Sequence, residues 1–269
     1  MKNLNKKKAI LIGYGGMGKR YEIALRKLNI KVTHICDSKK NFNGNKNLFF
    51  ENNYKNLLKI NADLVCIATN TTDRFKILKD FITKSKIKKI VTEKPLCCSL
   101  NEALKISELI KKSNKRLIIN SYRPFLKNYI QIKKIAENKG EKFKSIMVNS
   151  PSAGLGNMGS VFFDLGLFFL GNHIDTLFCK IDKTKTINPR GKKFKDPGGN
   201  GIITFSKNKK LMFDTSEDTG LPYIITIKTS NLEFIVDEIN NQIFMKNRPK
   251  KMRKKPLYFY LFKPDLTKL

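Results

Sequence analysis

A short apolar run, Ala9 to Ile12, leads directly into Gly13-Tyr14-Gly15-Gly16-Met17-Gly18, and a helical pattern opens at Met17. Glycines in the order G-x-G-x-x-G between a strand and a helix meet three separate backbone needs. Gly13 makes the tight turn, Gly15 lets a pyrophosphate approach the main chain, and Gly18 allows the helix to pack closely on the strand. The pyrophosphate then rests on the N-terminal amides of the helix, where the backbone dipoles favour an anion. Tyr14, Gly16 and Met17 complete the loop. Such a turn belongs to a doubly wound α/β sheet, so the chain is expected to begin with a Rossmann domain that binds a dinucleotide.

The segments that follow keep the same rhythm. Strands are expected at Lys31–Cys36, Leu64–Ala68, Lys89–Thr92 and Leu117–Asn120, with helices at Met17–Leu28, Asp73–Lys84 and Ser99–Ser113. Ser99 and Glu102 have the spacing of a capping box. Short β-branched runs alternating with helices imply parallel βαβ units. Asp37 ends the second strand about twenty residues past the glycines, where a carboxylate can accept hydrogen bonds from the adenosine ribose. That favours NAD. Ser38, Lys39 and Lys40 follow immediately and can hold a 2′-phosphate, so NADP stays open.

The pattern changes after Tyr122. One helix, Asn128–Asn138, precedes alternating runs at Phe143–Asn149, Thr176–Asp182, Gly201–Phe205, Leu211–Asp214, Tyr223–Thr229, Leu232–Val236 and Gln242–Met245. The expected fold is α/β: a Rossmann domain with a parallel sheet over 1–121, then an α+β domain with an open, mostly antiparallel sheet over 122–269.

The charge balance, 54 basic against 22 acidic residues for a net +32, puts a positive potential over much of the surface and attracts acidic ligands. The lysines run through every segment, which fits a lysine-rich compositional bias better than a nucleic-acid footprint, and no recognisable reading module accompanies them. Nucleic acid is therefore not the expected partner. The one dense run, Lys246 to Lys255, reads as a solvated loop or tail and is the best place for an anionic contact. No apolar run is long enough to cross a membrane, and the basic N-terminus lacks a signal-peptide core. The five cysteines, Cys36, Cys66, Cys97, Cys98 and Cys179, form no disulfide framework. The expected setting is the cytoplasm, without a membrane partner and without a metal.

Two further stretches carry a resemblance. Ala68-Thr69-Asn70 follows the third strand, and Thr92-Glu93-Lys94-Pro95-Leu96 follows the fourth. With Tyr122-Arg123-Pro124-Phe125 beyond the fifth strand, this organisation resembles the Gfo/Idh/MocA oxidoreductases over nearly the whole chain. The resemblance implies that Lys94 hydrogen-bonds the reacting substrate oxygen beside the nicotinamide. It also implies that Glu93 and Pro95 shape the turn, with a proline bond that is often cis, and that Thr69 and Asn70 line the cofactor site.

The family's second signature, D-x-G-x-H-x-x-D, fits best at 157–164, where Asn157 replaces the first aspartate and Val161 the usual catalytic histidine. Gly159 and Asp164 remain. On a helix from Gly159 to Leu170, positions 161 and 164 share a face. Asp164 stands among apolar neighbours and is expected to face a polar pocket, binding substrate hydroxyls or Lys94. His34 and His173 are expected to be structural. Valine cannot shuttle a proton, so Lys94, a water held by Asp164, or less directly Tyr122 is left to do so.

The resemblance thus implies hydride transfer between nicotinamide and a sugar, polyol or nucleotide-sugar, with an anionic substrate suited to the surface charge. It also allows a homo-dimer or tetramer through the open sheet. The lost histidine admits an alternative, a catalytically degraded dinucleotide sensor.

Overall fold

A computed structural model of the chain describes residues 7–38, 48–151, 153–183, 195–217, 221–259 and 261–269, in two compact units, Met1–Asn120 and Ser121–Leu269. The first unit runs β1 (Lys8–Ile12), α1 (Gly16–Lys27), β2 (Lys31–Cys36), β3 (Phe49–Glu51), β4 (Leu64–Ile67), α2 (Thr71–Lys84), β5 (Lys89–Glu93), α3 (Leu100–Lys111) and β6 (Arg116–Asn120). The strands form one parallel sheet in the order β3-β2-β1-β4-β5-β6. The edge strand β3 was not anticipated, because three residues after an Asn/Lys-rich stretch show no periodicity.

The apolar pattern explains the layers. A central parallel strand is buried on both faces, so it reads as a continuous apolar run rather than an alternation. Ile10 and Ile12 of β1 join Val65 and Ile67 against Leu78 and Phe81 of α2 and Ile106 of α3. Ala9 and Leu11 point the other way, packing with Ile35, Cys66 and Leu25 of α1. The chain leaves β1 toward β2 on one side and β4 lies on the other, so the glycine turn sits where the strand order reverses. Ligands of open parallel sheets bind at that switch point.

The second unit contains α4 (Lys127–Asn138), β7 (Ser145–Pro151), α5 (Ser160–Leu170), β8 (Ile174–Ile181), β9 (Gly199–Phe205), β10 (Lys209–Glu217), β11 (Ile224–Lys228), β12 (Leu232–Asp237), β13 (Gln242–Asn247), α6 (Lys250–Arg253) and β14 (Asp265–Lys268). Its eight strands lie in the order β14-β13-β12-β11-β7-β10-β9-β8. Among the described residues only β7 and β10 pair in parallel. Alternate residues such as Ile146, Val148, Phe213, Ile225 and Phe234 face α4 and α5, where Tyr129, Ile132, Phe162 and Leu165 close the core. The opposite face is open. One row crosses it by direct pairing, Phe178–Ile202–Met212–Met147–Thr226–Ile235, and Phe178, Ile202 and Met147 are exposed.

Two expectations for this half need correction. The run Lys246 to Lys255 is not a free solvated tail: Lys246 and Asn247 end β13, Arg248 is buried, and the chain returns as β14, a strand not foreseen. The helix expected from Gly159 starts at Ser160, after a wide π turn over Leu155–Gly159, and ends at Gly171 with φ +102°. No helix among the described residues is long and apolar enough to cross a membrane.

Candidate functional site

The glycines of the β1–α1 turn separate into two kinds by what surrounds them. Gly13 has φ +87°, and a Cβ there would meet the Ala68 carbonyl at 2.8 Å. A Cβ on Gly18 would overlap the Gly13 carbonyl oxygen. Both positions are therefore packed against backbone. Gly15 and Gly16 have open space where a Cβ would project, and Gly15 starts α1 with no side-chain cap and no acidic residue in the first turn. The result is a bare helix N-terminus with its amides unobstructed, the arrangement that accepts a pyrophosphate. Met17 lies just inside it, half-buried, with Arg20 Nη1 3.7 Å from its sulfur.

Asp37 follows β2, and its Oδ2 accepts the Tyr14 N–H at 2.8 Å. The Tyr14 hydroxyl donates to Glu22, and burial, reinforced by that carboxylate, pushes the phenol up to about 12. Ser38 is exposed beside it, while Lys39 and Lys40 lie outside the described residues. The β4 end carries Thr69 and Asn70, with Asn70 at the start of α2 and making no cap bond. Thr69 Oγ1 is buried without a hydrogen-bond partner.

At the end of β5, Glu93 is buried and accepts from the Tyr21 hydroxyl at 2.7 Å and from Asn120 Nδ2 at 2.8 Å. Desolvation, then the hydrogen bond to Glu93, raises the Tyr21 phenol far above its ordinary range. Lys94 is half-buried and the Lys94–Pro95 peptide is cis. The next turn meets its neighbour through a residue that sequence reasoning missed. Arg74, 2% exposed, donates through Nη2 to the Thr69 carbonyl at 2.5 Å and through Nη1 to the Pro95 carbonyl. Gly13, Asp37, Thr69, Asn70, Glu93 and Lys94 thus gather at the C-terminal ends of β1, β2, β4 and β5. This fits a dinucleotide: a bare helix N-terminus for phosphates, a carboxylate beyond β2, and polar groups at the ends of β4 and β5.

In the second unit, Asp164 is half-buried on α5 and accepts the Ser121 hydroxyl at 2.6 Å. Ser121 was not among the expected residues. Val161, one turn earlier, is 1% exposed in the apolar core, so the position where the sequence resemblance implies a histidine offers no proton-transferring group. Tyr122 is exposed, next to an ion pair also missing from the sequence reading. Arg123, 0% exposed, donates through Nε and Nη2 to the two Glu238 oxygens at 2.8 and 3.0 Å, and to the Tyr223 hydroxyl at 2.7 Å. Tyr129 and Tyr223 also donate to Glu238. His34 stacks on Phe49 at 5.1 Å in the first unit, and His173 is exposed beside Asp175.

No curated protein matches this sequence. The fold is shared with an NAD-binding oxidoreductase from Klebsiella pneumoniae, TM-score 0.78 at 12% identity, over 98% of this chain and 79% of that one. It is also shared with the UDP-N-acetylglucosamine 3-dehydrogenase GnnA from Acidithiobacillus ferrooxidans, TM-score 0.72 at 14% identity, over 91% and 81%. A third such structure is the WlbA dehydrogenase from Bordetella pertussis in complex with NADH and UDP-GlcNAcA, TM-score 0.69 at 14% identity, over 86% and 78%. The family described as an oxidoreductase family with an NAD-binding Rossmann fold, Gfo/Idh/MocA, matches residues 7–121. Over residues 7–121 the chain is thus similar to the NAD-binding Rossmann domain of the Gfo/Idh/MocA oxidoreductases.

Proposed function

We propose that this protein is an NAD-dependent dehydrogenase that oxidises or reduces a CH–OH carbon of a sugar, polyol or nucleotide-sugar. The observation that carries the reading is the junction of the glycine turn, Asp37 and the Lys94–Pro95 turn at one edge of the parallel sheet. NAD would supply hydride exchange at its nicotinamide ring. Gly15 and Gly16 leave the helix amides open to its phosphates, and Asp37 is positioned for the adenosine ribose. The carboxylate opposes a 2′-phosphate electrostatically, which favours NAD over NADP.

In this reading Lys94 holds the reacting oxygen and takes the proton released when an alcohol becomes a carbonyl, because Val161 has no group for that task. The second unit recognises the substrate, with Asp164 accepting hydroxyl hydrogens and Tyr122 offering a phenol. GnnA is named a UDP-N-acetylglucosamine 3-dehydrogenase and the WlbA dehydrogenase was crystallised with UDP-GlcNAcA, and a net charge of +32 suits a substrate of that anionic class. All five cysteines are free thiols, which accords with a reducing, cytoplasmic setting. The apolar row on the open sheet is the surface we assign to a homo-dimer or tetramer, to be tested by the sedimentation of Met147→Lys.

The deciding experiment compares wild type with Lys94→Ala. NADH binding, followed by fluorescence at high salt, is retained in the variant, while its turnover of UDP-sugars falls at least a thousandfold below that of the wild type, on the order of general-acid/base plus oxyanion contributions. Turnover unaffected by the substitution removes Lys94 from the chemistry. Failure of NADH to bind the wild type removes the dehydrogenase reading altogether.

A further inference from the structure

Between β13 and β14 the chain makes a projection, described at residues 248–259 and 261–264, that the sheet core does not use. Its internal fastening is Arg248, buried at the base. The guanidinium donates to the Met252 carbonyl at 3.1 Å, the Pro256 carbonyl at 2.9 Å and the Phe259 carbonyl at 3.2 Å. Four carbonyls from three places along the chain, counting Lys255 at 3.3 Å, converge on one side chain, so the projection is a built feature with a defined shape.

What this fastening presents is unusual for a surface. Lys250, Lys251, Arg253, Lys254 and Lys255 are exposed on the first half, and the stretch from Gln242 to Pro264 has no acidic residue to offset them. The second half shows Leu257, Tyr258 (72% exposed) and Leu261 (89% exposed), with Phe259 tilted against Tyr258 at a ring separation of 4.8 Å. Cations and apolar side chains are largely segregated along the chain: the charged turn comes first, the apolar tip follows, and one further exposed cation, Lys263, closes it. β14 beyond it is the edge of the sheet and is exposed throughout, so no neighbouring strand covers this end.

We propose that the projection docks on the surface of an anionic lipid bilayer. The choice follows from the segregation. A single-stranded nucleic acid is held by aromatic faces interleaved with cations, and Leu257 and Leu261 have no ring on which a base can stack. An interfacial anchor instead places Leu, Phe and Tyr at the headgroup–acyl boundary while adjacent lysines lie over the headgroups, with their aliphatic stems along the apolar layer. Six exposed cations, Lys263 among them, and a short apolar tip provide the two signals that reversible attachment needs. Nothing in the chain need cross the bilayer.

The test is sedimentation of the full chain with vesicles of phosphatidylcholine alone and of equimolar phosphatidylcholine and phosphatidylserine. Binding to the second and not the first is expected, weakening as salt rises. Lys251→Gln/Lys254→Gln/Lys255→Gln lowers the partition coefficient roughly a hundredfold, at about fivefold for each cation near the surface. Leu257→Ser/Leu261→Ser lowers it at least tenfold and leaves the salt dependence unchanged. A control triple substitution of exposed lysines on the first unit, Lys27→Gln/Lys111→Gln/Lys112→Gln, changes neither. Absence of binding to anionic vesicles, or equal loss with the control triple, overturns the proposal. Tighter binding of oligouridine than of vesicles, abolished by Tyr258→Ser/Phe259→Ser, overturns it in favour of single-stranded RNA.

Discussion

The Tyr14 N–H donates to Asp37 Oδ2 at 2.8 Å, which binds the turn after β1 to the carboxylate beyond β2. One acidic side chain therefore shapes the glycine turn, and in the proposed function it is also the acceptor for the adenosine ribose. Asp37→Ser is expected to weaken NADH binding roughly ten- to a hundredfold, the worth of about 1.5–3 kcal/mol for hydrogen bonds to a charged group. Because the negative charge is lost, NADPH should gain on NADH. Parallel titrations of the two nucleotides at high salt measure the ratio, and an unchanged ratio would place the ribose elsewhere.

The glycines give a second prediction, with opposite signs at neighbouring positions. A methyl on Gly18 overlaps the Gly13 carbonyl oxygen, so Gly18→Ala must separate α1 from β1 and is expected to cost about 1–3 kcal/mol of stability as well as cofactor binding. A methyl on Gly16 meets nothing within 4 Å. Gly16→Ala should leave the melting temperature unchanged or higher, since alanine favours the helix by up to about 1 kcal/mol, yet it narrows the phosphate approach and weakens NADH. Melting curves with and without NADH separate the two effects.

Arg123 and Glu238 form a buried pair whose net charge cancels only while both partners are present. Burial pushes the Glu238 carboxyl upward, but the hydrogen bonds from Arg123, Tyr129 and Tyr223 outweigh it and hold the group below its ordinary value of 4.5. A carboxylate depressed in the folded state contributes stability that is present above pH 4.5 and is lost as pH falls through the folded value. The acid limb of the stability curve should therefore flatten in Glu238→Gln. Arg123→Met, which leaves Glu238 buried and unpaired, is expected to cost about 3–5 kcal/mol at neutral pH. Urea unfolding as a function of pH reads both, and an acid limb identical in wild type and Glu238→Gln would assign the linkage to other groups.

How much of this was legible in the sequence depends on distance along the chain. The β1–α1 turn is a local object: strand, glycines and helix start all fall within Lys8 to Lys27, so their order alone specifies the geometry. The alternation in β11 and β12 is equally local, because a period of two assigns each residue to a face. Arg74 and Arg123 are different. Their acceptors lie 21 and 115 residues away, at Pro95 and Glu238, and nothing in the local pattern around either arginine marks it as buried. Arg248 misled for a related reason. A run of lysines around a proline reads as solvated surface, and only the folded path shows that one cation of the run turns inward to collect carbonyls. The capping box was half legible: Ser99 caps Glu102 N–H at 3.3 Å as the spacing requires, but Glu102 returns to the amide of Cys98 rather than to that of Ser99.

Arg74 gives the last prediction. Its guanidinium fills the space between the turns that follow β4 and β5, and it is the donor to the Thr69 and Pro95 carbonyls. Lys94 precedes Pro95 directly, so the position of its backbone depends on a side chain from α2. Arg74→Met keeps the aliphatic volume but leaves two inward carbonyls without their donor, at a cost of about 2–4 kcal/mol. For a chain of this size that lowers the melting temperature by roughly 4–16 °C. Arg74→Lys, with a single ammonium in place of a planar fork, can serve one carbonyl at a time and should recover part of the stability. If the guanidinium acts by placing Lys94, turnover falls in the lysine variant by more than its NADH affinity does, since the glycine turn is untouched. Equal losses in binding and turnover would reduce Arg74 to a general support of the sheet edge.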